Sequence, residues 1–177
     1  MEDLFKTFQP QPLWRYFSDI LTIPNPSGNE EKIREYILEF ARNNNLKAKQ
    51  DETGNVLIIK PASPGYENKK SVCLQGHLDM VCEKNQHVEF DFNNDPIQAY
   101  EDNGWIKAKG TTLGADNGIA LAAMLAVLED KSLEHGDIEC LFTVDEESGL
   151  TGAFGLEPGF VRSKILLNLD NEDEGQF

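Results

Sequence analysis

"CLFTVDEESG", residues 140–149, decides how this chain is read. A largely apolar, partly β-branched run, Cys140 to Val144, leads straight into Asp145, Glu146 and Glu147. Such a run has the composition of a buried strand. Adjacent carboxylates repel one another, so three acids at one strand end call for a positive charge nearby.

Working outward, the same kind of run recurs. "DIECLFTV" (137–144), "KILLNLD" (164–170), "SVCLQGHLD" (71–79) and "NVLIIK" (55–60) read as strands, while "WIKAKG" (105–110) alternates as an exposed-face strand would. Between them "NGIALAAMLAVLED" (117–130) is too long and Ala-rich for a strand and predicts a buried helix. In "PLWRYFSDILTI", Leu13, Phe17, Ile20 and Leu21 share one helical face, and Pro12 suits a helix start. Ser27 and Glu30 match the capping-box pattern, followed by the apolar stripe Ile33, Tyr36, Ile37 and Phe40. "SGLTGAFGLEPG" reads as a helix start and loop, and the polar stretch 80–104 as a segment wrapping the edge. Helices alternating with continuous apolar strands predict an α/β fold: three α/β/α layers around a mixed, mostly parallel sheet.

Composition narrows the function. With 177 residues, 40% of them hydrophobic, the chain is long enough for one well-buried core and is read as one domain. Sixteen basic against 31 acidic residues leave a net charge of -15, which argues against nucleic acid and an anionic membrane as partners. Three cysteines give no disulfide framework and fit reduced thiols in the cytoplasm. The N-terminal residues lack the pattern of a signal peptide, and no run is long enough for a transmembrane span.

Three of the apolar strands end in metal-ligand types: His77 and Asp79, Glu146 and Glu147, and Asp170. A further acid, Asp116, sits in the Gly-flanked turn "LGADNG". Each has a plain alternative. His77 could be a hydrogen-bonded turn imidazole, Asp116 an N-cap, and the 145–147 acids a solvated strand end or a helix N-terminus, where acids are favourable. "DNEDEG" (170–175) resembles the first half of a calcium loop, but the acid required at position twelve falls beyond Phe177. Ligands of open α/β sheets bind at the carboxyl ends of strands, so these residues can converge. One imidazole with several carboxylates suits zinc or manganese, and carboxylates can bridge a cation pair. His77 and Asp79, two apart, can share a side, letting Asp79 accept the other ring N–H of His77. On an extended chain Glu146 and Glu147 point to opposite sides, one for a metal and one for protons.

"GHLDMV", "GTTLGADNGIA", "TVDEESGLTGAFGL" and "LLNLDNEDEG" resemble, in order and spacing, the zinc-dependent metallopeptidase family that includes the aminoacyl-histidine (cytosol non-specific) dipeptidases. The dipeptidase branch is a better match than the deacylases or peptidase T. The resemblance implies that His77 binds one metal and Asp79 orients it. It implies that Asp116 bridges two metals through a residue whose bond to Asn117 is cis. Glu146 would be the general base, Glu147 a ligand of the second metal and Asp170 of the first. It further implies two divalent metals, zinc foremost with manganese or cobalt as alternatives. The expected substrate is a dipeptide such as β-alanyl-histidine, and the whole enzyme is expected to be a homodimer. Residues 1–177 correspond to the N-terminal portion of the family's catalytic domain. The lid or dimerisation domain and the C-terminal catalytic segment, with a second metal-binding histidine, lie beyond them. The second metal site is therefore expected to be incomplete, and this portion alone inactive. A peptidase T-like tripeptidase, a related deacylase and a non-enzymatic acidic metal-binding module are the competing readings.

Overall fold

The computed structural model describes residues 2–171. The chain runs α1 (Glu2–Phe5), α2 (Gln11–Ile20), α3 (Glu31–Asn43), β1 (Lys47–Gln50), β2 (Val56–Lys60) and β3 (Val72–His77). It continues through β4 (Ala99–Asp102), β5 (Trp105–Ala108), α4 (Ala115–Glu129), β6 (Ile138–Thr143), α5 (Glu146–Gly149), α6 (Thr151–Phe154) and β7 (Ile165–Asn168). Five strands form one sheet in the order β1-β2-β6-β3-β7, and β4 and β5 form a separate hairpin. The large sheet is mixed: β1, β2 and β6 pair antiparallel, whereas β3 pairs parallel with both β6 and β7. The parallel part carries the three ligand-bearing strand ends, so they open on the same edge.

Side chains alternate across the sheet as a strand period of two requires. Val56, Ile58, Cys140 and Phe142 face the main core, which α2, α3 and α4 fill with Phe17, Ile37, Leu121 and Leu125. Leu57, Cys73 and Leu141 face the other side, where Ile59, Leu156, Phe160 and Val161 cover them. Both faces are thus covered, giving three layers. Helix α4 is buried nearly all round, as its Ala-rich sequence predicts. Its first turn is kinked: Asp116 and Asn117 leave helical geometry, and the peptide between them is cis, as the resemblance implies.

Three expectations change. Ser27 and Glu30 do not form a capping box. The hydroxyl of Ser27 donates to Asp79 Oδ2 at 2.7 Å, and Glu30 Oε1 accepts from the Gly28 and Asp145 N–H groups. Glu146 and Glu147 do not lie on an extended chain. They open α5 after Asp145 turns the backbone through the left-handed region at φ 49°. The segment after residue 80 is not only a wrap, since its last residues form β4.

Candidate metal centre

The site forms where β3, β6 and β7 end beside the kinked start of α4. His77, 1% exposed, is the last residue of β3. Its Nδ1 faces Asp79, at 3.0 Å from the backbone oxygen and 3.2 Å from Oδ1. Its Nε2 faces outward, 3.0 Å from Asp116 Oδ1 and 3.7 Å from Asp170 Oδ2. One ring nitrogen is therefore held from behind while the other points at two carboxylates on different elements.

Asp79 does more than hold the ring. Its Oδ1 accepts the Glu146 N–H at 3.0 Å and its Oδ2 the Glu147 N–H at 3.1 Å. Burial alone would push this carboxyl up, but the bonds from His77, the two backbone N–H groups and Ser27 win and bring it down to about 2. Burial likewise works against charging His77. The neighbouring carboxylates, led by Asp79 and joined by Asp116 and Asp170, outweigh it and raise the imidazole to about 9. The pocket favours positive charge at Nε2, which answers the question posed by residues 145–147.

Glu146, Glu147 and Asp170 are each raised from their ordinary values. Burial leads in each case and neighbouring carboxylates add to it, with His77 partly offsetting them. Ligand atoms of His77, Asp116 and Glu147 lie within 4.8 Å of one another, as do those of His77, Glu146 and Asp170. These donor sets fit divalent cations: an imidazole nitrogen that a cation can take in exchange for its proton, and carboxylate oxygens that no N–H saturates fully. A third acidic group, Glu30, Asp79 and Asp145, is equally close but is spent on hydrogen bonds from the backbone and from Ser27 and Thr151. The structure thus brings together all six site residues that the sequence singled out. The remaining histidines stand apart: His135 bonds to the neighbouring Gly136 oxygen, and His87 is exposed. Residues 172–175 of the calcium-like motif lie outside the described residues.

Several site-building residues were not anticipated. Asn55, fully buried, accepts the Val144 N–H and donates to the Gly152 carbonyl. With Glu30 and Asp79 it takes four consecutive N–H groups, Val144 to Glu147, onto buried side-chain oxygens. Only the folded chain unites residues 30, 55 and 79, so periodicity could not reveal them. A cavity of about 250 Å³, lined by Gln75, Thr143, Glu146, Leu166 and Asp170, adjoins the centre. A larger one, about 810 Å³, lies between Leu4, Phe8, Trp14 and Ile106, away from the imidazole and its carboxylates. Chemistry rather than size marks the site.

A family model described as peptidase family M20/M25/M40 matches residues 73–169, which hold all six of these residues but Asp170. The chain belongs to this peptidase family. Among M20/M25/M40 relatives, the cytosol non-specific dipeptidase of Escherichia coli K12 is 52% identical over 94% of this chain and 34% of its own length. The solved aminoacylhistidine dipeptidase of Vibrio alginolyticus superposes with a TM-score of 0.94 at 54% identity, over 97% of this chain and 35% of that one. A tripeptidase from Staphylococcus aureus follows at TM-score 0.77 and 27% identity, over 91% and 43%. The chain spans about a third of the length of the two dipeptidases. Among the described residues, no helix is long and apolar enough to cross a membrane.

Proposed function

We propose that these residues are the metal-binding part of a cytoplasmic dipeptidase. The observation that carries the reading is His77, fixed through Nδ1 on Asp79 with Nε2 turned toward Asp116 and Asp170. Its close likeness to two proteins named as dipeptidases supplies the substrate class. His77, Asp116 and Asp170 would hold one divalent cation, and Asp116 with Glu147 a second, zinc foremost. When bound, such cations acidify a coordinated water and polarise a carbonyl oxygen.

The chain's own groups do the rest. Asp79 keeps the His77 proton on Nδ1, leaving Nε2 as the donor to a cation. Glu146 takes the proton of the attacking water and later delivers it to the leaving amine. Its carboxyl is raised by burial and by neighbouring acids, which suits a group that must both accept and return a proton. Bonds from the Glu146 and Glu147 N–H groups to Asp79 fix the turn from which both side chains project. Xaa-His dipeptides such as β-alanyl-histidine fit this reading within a broad range, and the whole enzyme is proposed to act as a homodimer.

The test is hydrolysis of dipeptides by the full-length protein containing these residues, with Glu146→Ala beside it. Loss of about 10²–10⁴-fold in kcat, with the cation still bound, supports the assignment. Unchanged turnover in the variant would remove Glu146 from the base role, and a preference for tripeptides would favour the tripeptidase reading.

A further inference from the structure

Asn117 has no part in the chemistry described so far, yet it is 3% exposed and carries both a donor and an acceptor into the centre. Its Oδ1 accepts the His77 backbone N–H at 3.2 Å, and its Nδ2 donates to Asp170 Oδ1 at 3.2 Å. The carboxamide therefore links the end of β3 to Asp170, just beyond β7. With Oδ1 of Asp170 engaged in this way, Oδ2 is the oxygen turned toward His77 Nε2.

The neighbouring strand makes room for it. A Cβ on Gly76 would lie 2.4 Å from Asn117 Oδ1, whereas its next contacts, Ala120 Cβ at 3.4 Å and Met124 Sδ at 3.5 Å, are tolerable. Gly76 thus fits this side chain in particular. A carboxamide offers an acceptor at one end and a donor at the other, which an aspartate of the same shape cannot. An aspartate would remove the donor and set a second anion against Asp170.

We infer that Asn117 is a positioning residue that orients Asp170 and the end of β3 for cation binding, with Gly76 as its steric counterpart. The inference rests on the assignment of His77, Asp116 and Asp170 as ligands. In the metal-stripped full-length protein, Co²⁺ titration followed by visible absorption reads affinity and coordination without reference to activity. Thermal unfolding of the metal-free form is measured beside it. Asn117→Asp is expected to weaken Co²⁺ binding about 10–100-fold and to alter the spectrum, as loss of an outer partner does. Gly76→Ala is expected to weaken it in the parent, but to add little once Asn117→Ala has cleared the oxygen.

Affinity and spectrum unchanged in Asn117→Asp would overturn the inference while leaving the ligands standing. So would a fall in metal-free stability with no change in affinity, which is what a purely structural role predicts. If Asn117→Asp does not fold, the Gly76→Ala and Asn117→Ala pair decides by the same criterion, additive effects counting against the inference. Asp116→Ala and Asp170→Ala are the controls for the ligands. Parent-like Co²⁺ binding in both would overturn the ligand assignment and this inference together.

Discussion

His77 is a buried base that its surroundings prefer charged. In the metal-free protein its pKa of about 9 stands above the ordinary 6.5. The corresponding stability is fully present below pH 6.5 and is lost as pH rises through about 9. A cation at Nε2 competes with that proton, so its affinity has the opposite slope. Apparent zinc affinity is expected to rise about tenfold per pH unit between pH 6 and 8, measured by competition with a chelator. A flat profile would remove His77 from the ligand set. Asp79 behaves differently: with its pKa lowered to about 2, its stabilisation is present above pH 3.8 and fades as pH falls through 2. Glu30 offers a second test at this scale. Its oxygen accepts the Gly28 and Asp145 N–H groups. Glu30→Ala should cost about 1–3 kcal/mol in urea unfolding by leaving such groups unpaired, whereas Glu30→Gln, which keeps an acceptor, should cost much less. His77, Asp79, Asp116, Glu146, Glu147 and Asp170 were legible because they stand at strand ends or in a Gly-flanked turn. Glu30, Asn55 and Asn117 were not, because their partners lie far away in sequence. Ser27 and Glu30 misled for the same reason: a local pattern that fits a cap is used for contacts to residues 79 and 145.

At the scale of elements, the apolar strands and the two amphipathic helices follow their patterns. Phe142, fully buried near the end of β6, illustrates what the core is worth: Phe142→Ala should destabilise by about 3–5 kcal/mol. β1 escaped the sequence because "KAKQ" is polar and largely exposed; only its pairing with β2 makes it a strand. α5 was foreseen only as the alternative reading of residues 145–147 as a helix N-terminus. The left-handed turn at Asp145 is imposed by buried acceptors from Glu30 and Asp79, not by a helix signal in "DEESG". Gly152 shows how tightly that turn is closed: a Cβ there would lie 2.4 Å from the Val144 carbonyl oxygen and 2.5 Å from Asn55 Oδ1. Gly152→Ala should therefore cost about 1–3 kcal/mol in an unfolding titration. It should also weaken cation binding, because the displaced segment carries Glu146 and Glu147. A change confined to stability would separate the turn from the centre.

Across the whole molecule, sheet order turns scattered residues into one centre. β6, β3 and β7 are adjacent and parallel, so residues 77, 146 and 170 arrive at one edge from three points of the chain. The fold class was legible because continuous apolar strands need covering on both faces. Strand order was not, since nothing in the sequence says that β6 inserts between β2 and β3. A net charge of -15 favours cations over anions near the surface, and on the proposed reading the arrangement around His77 would select where a cation stays. The measurement that tests this most directly is zinc stoichiometry in the metal-stripped full-length protein, with Asp116→Ala beside it. The parent is expected to bind one or two ions tightly, and the variant to lose at least one. Equal stoichiometry and affinity in the two proteins would contradict it.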